Sequence, residues 1–118
     1  MTEFRYEKLT WPEVNAAVAR RPVCVLPVGS VEQHGPHLPL DVDVVCPQGV
    51  AHGAGREIPD RLLVLPTHWN GYTAHVMDFP GTLNAHHSTL LESVLDVTRS
   101  LAYHGFKKIL LLNGHGSN

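Results

Sequence analysis

Three continuous apolar runs constrain the fold of this chain more than any other feature. They are VCVLPV at 23–28, RLLVLPTHW at 61–69 and KKILLLNGH at 107–115. Short runs of this kind, rich in valine, leucine and isoleucine, are typical of strands that are buried on both faces of a parallel sheet. We therefore predict a strand buried on both faces at 23–28, a second buried strand at 61–69 and a third strand at 107–115.

Helical patterns precede and separate the strands. The first helix is predicted to begin at Thr10, which forms a capping box with Glu13, and to continue to about Arg20. Pro12 occupies its first turn. A second helix is predicted over about 42–57, with Asp41 as its N-cap.

A third helix is predicted to begin at Asn84, after an irregular segment over 70–83, and to end before Gly105. Its apolar positions recur at i, i+3 and i+4, so they share one face. That face consists of Leu90, Leu91, Val94, Leu95, Thr98, Leu101 and Ala102.

The order of elements, α-β-α-β-α-β, predicts the α/β class: a three-layer α/β/α fold with a mostly parallel sheet between helices. Such folds bind ligands beyond the carboxyl ends of their strands. Each predicted strand leads into or contains histidine, so one edge of the sheet should be rich in imidazole. The histidines in question are His34, His37, His68, His75 and His115.

Composition excludes several classes of protein. The chain has 118 residues and a net charge of −2, with no basic stripe, which argues against a nucleic-acid partner. No apolar run approaches the roughly 18 residues of a membrane helix, and the polar start is unlike a signal peptide. Cys24 and Cys46 are interpreted as unpaired, buried thiols of a cytoplasmic protein. Nine histidines among 118 residues suggest a metal or acid–base site.

The segment GSVEQHGPHLPLDVD at 29–43 concentrates candidate ligands. Glu32 and His34 lie on one side of an extended backbone, and Asp43 can return to them from the next helix. His115 enters from a neighbouring strand end. Carboxylate and imidazole ligands together suit zinc, manganese or iron(II), and a carboxylate such as Asp43 can bridge two ions. Spacing alone also allows carboxylates that cap backbone N–H groups beside a polar loop histidine.

Three stretches resemble the creatininase (creatinine amidohydrolase) family. They are the segment 29–43, FPGTL at 79–83 and HGFKKILLLNGHGSN at 104–118. In the first, only Val42 departs from the family pattern, where threonine is usual. The resemblance implies that residues 1–118 form the N-terminal half of one creatininase-like α/β domain and supply about half of its fold. The C-terminal half is then absent or a separate chain.

The resemblance also implies a site with two divalent ions, zinc, manganese or iron. Glu32 and His115 would bind one ion, His34 the other, and Asp43 would bridge them. Creatininase itself carries a glutamate where Ser117 stands, so this chain resembles the NGHGGN-type branch. The remaining ligand and the general acid are expected from a later segment outside residues 1–118.

The implied reaction is hydrolysis of a non-peptide C–N bond in a cyclic or linear amide by a metal-bridging hydroxide. Asp43 and His75 are the predicted catalytic residues, and Trp69, Tyr72, His75 and Ser117 are predicted to contact the substrate. Two alternatives remain open: a metallopeptidase that trims a small precursor peptide, as in mycofactocin maturation, and a metal-binding subunit without activity.

The expected partners are a small-molecule amide, the complementary C-terminal half as a second chain, and further copies, with a hexamer as the family's usual oligomer. An unpaired third strand would be an aggregation hazard, which favours such a partner. The ending after Asn118 suggests a mature protein of two chains cut from one precursor. A split gene or a truncated chain would explain the same ending.

Overall fold

The computed structural model describes residues 2–118. Its helices and strands follow the predicted order, with two short 3-10 turns at Tyr6–Lys8 and Ala74–Val76. The elements are α1 (Trp11–Arg20), β1 (Val23–Val28), α2 (Val42–Glu57), β2 (Leu62–Val64), α3 (His87–Tyr103) and β3 (Ile109–Asn113).

The sheet has the strand order β2-β1-β3, and both pairings are parallel. Cys24 of the central strand β1 lies opposite Leu63 of β2 and Ile109 of β3. The parallel sheet is therefore confirmed. Because all three strands run in one direction, their carboxyl ends meet at a single edge.

Helices cover both faces of the sheet, as the α/β/α prediction requires. Successive side chains of β1 point to opposite faces. Cys24, Leu26 and Val28 share one core cluster with residues of α1 and α3, whereas Val25 packs in a second cluster with Ala51 of α2. Two separate cores, one on each face, stabilise the central strand.

The second and third strands are shorter than predicted. The run 61–69 forms a regular strand only at Leu62–Val64, because Pro66 has no N–H to donate to β1. Pairing resumes at His68, whose N–H donates to the Pro27 carbonyl at 2.9 Å. The run 107–115 is a strand only over Ile109–Asn113.

The beginnings of α1 and α2 test the capping predictions. The Glu13 carboxylate accepts the Thr10 backbone N–H at 2.7 Å, which confirms that α1 begins there. The prediction for α2 is correct in its bounds, Val42–Glu57, and in the residue at its N-cap. Asp41 occupies the N-cap position, and its side chain makes no capping hydrogen bond.

Helix α3 begins at His87 rather than at Asn84. The Asn84 side chain is engaged elsewhere, because its Oδ1 accepts the Thr73 N–H at 2.7 Å. The next residue donates its N–H to the Gly71 carbonyl, so the chain cannot yet turn into a helix. The helix ends before Gly105 as predicted. Within residues 2–118, none of the helices combines the length and apolarity that a bilayer span requires.

The two cysteines differ in environment. Cys24 is fully buried, and burial raises the pKa of its thiol to about 12. Cys46 is exposed on α2, so the prediction of a buried thiol is wrong there. Its position on the helix places it away from both core clusters.

The strand β3 and the face of α3 beside it are only partly covered. Leu110 and Leu111 of β3 are each half-exposed, so β3 is much less buried than β1 within residues 2–118. On α3, Leu90 is buried, whereas Leu91 is 60% exposed. A cleft of about 500 Å³ lies between these elements, lined by Leu90, Leu91, Val94 and Leu111 among others.

Candidate metal centre

Four candidate ligands converge at the carboxyl edge of the sheet. The loop after β1 carries Glu32 and His34, the first turn of α2 carries Asp43, and His115 follows β3. Ligand atoms of Glu32, His34 and Asp43 all lie within 4.8 Å of one another. His115 joins them through both carboxylates. Residues distant in sequence thus form one cluster because parallel strands end at a common edge.

Close contact between β1 and α2 brings Asp43 into the cluster. A side chain at Gly29 would place its Cβ only 2.3 Å from the Asp43 carbonyl oxygen. No such contact is sterically allowed, so any other residue at Gly29 would push the start of α2 away from the strand. The glycine that ends β1 is therefore needed to bring Asp43 to the site.

The two oxygens of Asp43 face different histidines. Its Oδ2 lies 2.7 Å from Nδ1 of His115, and its Oδ1 lies 3.3 Å from Nε2 of His34. A carboxylate that bridges two ions directs one oxygen to each. The arrangement has the form that the bridging prediction for Asp43 requires.

Each of these histidines has its other ring nitrogen on a backbone carbonyl. Nδ1 of His34 lies 3.0 Å from the Glu32 oxygen, and Nε2 of His115 lies 2.9 Å from the Tyr72 oxygen. Carbonyls and carboxylates both only accept hydrogen bonds, so a ring nitrogen that faces Asp43 donates an N–H to it unless a metal ion lies between them. With an ion bound there, the remaining N–H of each ring would point at its backbone carbonyl and the opposite nitrogen would present its lone pair to the ion. Metal-binding histidines are typically oriented in this way by a second hydrogen bond.

Negative charge is concentrated around the most buried member of the cluster. His115 is only 5% exposed, and its Nδ1 lies 3.0 Å from Oε2 of Glu32 as well as close to Asp43. Two carboxylates that share one buried nitrogen repel each other unless a cation lies between them. The donor set therefore fits a bound divalent ion.

The electrostatics of His34 follow from the same contacts. Its hydrogen bond to the Glu32 carbonyl raises the pKa of the imidazole, and the nearby carboxylates of Asp43 and Glu32 act in the same direction. Partial burial opposes this shift. The surroundings of His34 thus favour positive charge at this position.

The other predicted site residues are placed at different distances from the cluster. The His75 ring is stacked against that of His115, with centroids 6.4 Å apart, and its Nε2 lies 3.7 Å from Oε1 of Glu32. Tyr72 and Ser117 line the cleft beside α3. Trp69 is half-exposed and does not line that cleft. His75 is therefore beside the ligands, and the catalytic and substrate roles of these residues stay predictions.

Sequence reasoning missed the groups that orient the ligands. The carbonyls of Glu32 and Tyr72 carry no signal in a sequence, because every residue has one. Asn113 could have been found from its position two residues before His115. Its Nδ2 donates to the His115 carbonyl at 2.6 Å, and its Oδ1 accepts the His115 N–H at 3.2 Å.

Comparisons with known proteins agree on one family. The family model described as creatininase (creatinine amidohydrolase) matches residues 7–118. The creatinine amidohydrolase of Pseudomonas putida is 39% identical over 119 residues, which cover 94% of this chain and 44% of that protein. The mycofactocin precursor peptide peptidase of Mycolicibacterium smegmatis is 37% identical over 101 residues, covering 82% of this chain and 40% of that protein.

Solved structures show the same fold. A crystal structure of creatinine amidohydrolase (creatininase) superposes with a TM-score of 0.93 at 38% identity, covering all of this chain and 47% of the other. A mutant creatininase described as Zn-Zn type and a creatininase described as Mn each give a TM-score of 0.91. The identities are 37% and 36%, and each comparison covers 47% of the solved chain. The chain spans less than half the length of these proteins.

Proposed function

The chain belongs to the creatininase family, and from that premise we propose that it forms the N-terminal half of a metal-dependent amidohydrolase. The enzyme would cleave a non-peptide C–N bond in a cyclic or linear amide. The observation that carries the proposal is the environment of Asp43. Each of its oxygens faces a histidine whose other nitrogen is held by a backbone carbonyl.

The cluster would hold two divalent ions. Glu32, Asp43 and His115 would bind one, whereas His34 and Asp43 would bind the other, with a further ligand from outside this chain. Mixed nitrogen and oxygen donors suit zinc, manganese and iron. The Zn-Zn and Mn forms of creatininases favour the first two.

When bound, two such ions polarise a carbonyl group and lower the pKa of a shared water toward about 7. The residues of this chain keep the site rigid. Asp43 would hold both ions through its two oxygens, and the carbonyls of Glu32 and Tyr72 would orient His34 and His115 toward them. His75 is half-exposed above His115, so we assign it contact with the substrate, as a hydrogen-bond donor through Nε2.

The partner that we propose for the uncovered flank is the complementary C-terminal half. Leu111 on β3 and Leu91 on α3 are at least half-exposed and line a cleft of about 500 Å³, and Leu110 of β3 is also half-exposed. Apolar surface of this kind is typical of an interface. Because the relatives are more than twice as long as the matched region, their second half is the natural occupant. The hexamer stays a prediction.

Trimming of a small precursor peptide is the second candidate function. The similarity to the mycofactocin precursor peptide peptidase, at 37% identity, favours it. The two functions would use the same ions and the same ligands, so they differ in the substrate that the pocket admits.

Substrate tests on the full-length protein distinguish the candidates. Protein loaded with zinc or manganese would be incubated with creatinine, with a panel of small cyclic and linear amides, and with a short precursor peptide. We expect hydrolysis of an amide in the first two groups, loss of activity with a chelator, and recovery when the metal returns. Cleavage of the peptide alone would favour the peptidase. A metal-loaded protein that hydrolyses none of them would support a non-catalytic subunit.

A further inference from the structure

Asn118 joins three segments around the candidate metal centre. Its Oδ1 accepts the Tyr72 N–H at 2.9 Å. Its Nδ2 donates to the Gly29 carbonyl and to Oδ1 of Asn113, each at 3.1 Å. Both ends of the side-chain amide are therefore used. Gly29 and Asn113 lie on segments that lead to candidate ligands, and the Tyr72 carbonyl contacts the His115 ring.

The contact with Tyr72 connects Asn118 to a metal ligand. The N–H of Tyr72 is held by Asn118, and the carbonyl of the same residue accepts from Nε2 of His115. A shift of this backbone segment would move the carbonyl that orients the His115 ring. Asn118 thus acts on His115 through Tyr72.

The contact with Asn113 reaches His115 by a second route. The Asn113 side chain hydrogen bonds to both the N–H and the carbonyl of His115. Asn118 donates to the Asn113 oxygen that accepts the His115 N–H. The backbone and the ring of His115 are therefore both held by groups that Asn118 contacts.

The packing at Gly71 shows that this junction has little free space. A Cβ at Gly71 would lie 2.3 Å from the Gly29 carbonyl oxygen and 2.5 Å from Oδ1 of Asn118. Only glycine lets the amide approach so closely. Asn118 is exposed as a whole, but its amide oxygen lies in close contact with the backbone at Gly71.

We propose that Asn118 is a positioning residue for the metal centre: it keeps the Nε2–H of His115 on the Tyr72 carbonyl and so directs Nδ1 toward Asp43 and Glu32. The effect of Asn118 on metal binding rests on the proposed function. Its effect on the orientation of the His115 ring does not depend on that function. An asparagine is required because the junction needs one acceptor and one donor. Aspartate has the same shape but cannot donate to Gly29 or Asn113.

The test compares Asn118→Asp and Asn118→Ala with Asn15→Asp. Asn15 is exposed on α1 and provides the same chemical change away from the site. The first readout is ¹⁵N NMR of the Nε2–H of His115 in metal-free full-length protein. We expect a slowly exchanging proton on Nε2 in the wild type and in Asn15→Asp. In both Asn118 variants that proton should exchange at least about tenfold faster.

The second readout is zinc affinity, measured by competition with a chromogenic chelator. Loss of a group that orients a ligand typically weakens metal binding by about 10–100-fold. We expect this for Asn118→Asp, a similar or smaller loss for Asn118→Ala, and a change below about twofold for Asn15→Asp. Thermal unfolding of the metal-free variants controls for folding.

The two readouts separate this inference from the proposed function. A wild-type protein that binds no zinc overturns the proposed function, and the NMR comparison still decides the orientation of His115. Zinc binding in Asn118→Asp as tight as in the wild type, with a protected Nε2 proton, overturns the role of Asn118.

Discussion

The strands β1 and β3 are neighbours of similar composition, but β1 is buried and β3 is partly exposed. Leu26 of β1 lies directly opposite Leu111 of β3, yet Leu26 is 2% exposed and Leu111 is 50% exposed. The central strand has a strand on each side and a helix layer on each face. The outer strand has β1 on one side only within residues 2–118.

The carboxyl ends of the same two strands are alike. Each leads into a loop that supplies a candidate ligand, Glu32 and His34 after β1 and His115 after β3. The comparison separates two properties of residues 2–118. The edge that carries the ligands is well organised, whereas the flank beside β3 presents apolar surface that a further element would cover.

The largest effect is expected at the shared edge. Asp43→Ala removes both oxygens that face the histidines, so both ions should be lost. Loss of a group that only orients a ligand costs about 10–100-fold, so loss of a bridging ligand should reduce metal affinity by more than about 100-fold. Metal content after dialysis checks this prediction. Asp41→Ala is the matched control, because the Asp41 side chain makes no capping contact; full metal occupancy in Asp43→Ala would contradict the bridging role.

The paired leucines test the comparison of the strands directly. Leu26→Ala creates a cavity in the core and should lower the free energy of unfolding by about 2–5 kcal/mol. Leu111→Ala should cost less than about 1 kcal/mol in residues 1–118 alone, because half of that side chain is already exposed. Urea denaturation measures both.

The same two substitutions also test whether a C-terminal half covers β3. In a protein that contains both halves, the cost of Leu111→Ala should rise toward that of Leu26→Ala. An unchanged small cost in the longer protein would mean that the β3 flank stays exposed and that the second half packs elsewhere.

A smaller effect is expected on the other side of β1, at His68. Burial lowers the pKa of His68 below its ordinary value of about 6.5. Between these two pKa values the unfolded chain binds more protons than the folded one, so stability decreases as the pH falls below about 6.5. Thermal unfolding from pH 8 to pH 5 should show a weaker dependence in His68→Gln than in the wild type. The exposed His104→Gln is the control, and equal slopes in all three proteins would contradict the prediction.

Sequence patterns were sufficient for the elements that local rules determine. The bounds of β1 and α2 agree with prediction, and β1 is buried at every residue except Val23, as its continuous apolar run indicates. Elements that depend on remote contacts were placed less well. The start of α3 depends on the hydrogen bond between Asn84 and Thr73, which no local pattern reveals.

The candidate site divides in a similar way. Glu32, His34, Asp43 and His115 were found because parallel strands bring their carboxyl ends together, and the resemblance supplied their expected roles. The orienting contacts were not found, because the carbonyl of Tyr72 looks like any other in a sequence. The partial exposure of β3 agrees with the expectation of an unpaired third strand, although an apolar run by itself does not reveal which element covers it.

Anomalous X-ray scattering from crystals of the zinc-loaded full-length protein tests the central claim most directly. We predict a peak at the zinc edge within about 2.0–2.2 Å of Nδ1 of His115 and of carboxylate oxygens of Asp43 and Glu32. A second peak should lie near Nε2 of His34, on the other oxygen of Asp43. Crystals with zinc bound elsewhere, or with no peak between Asp43 and the two histidines, would contradict a metal centre at this edge of the sheet.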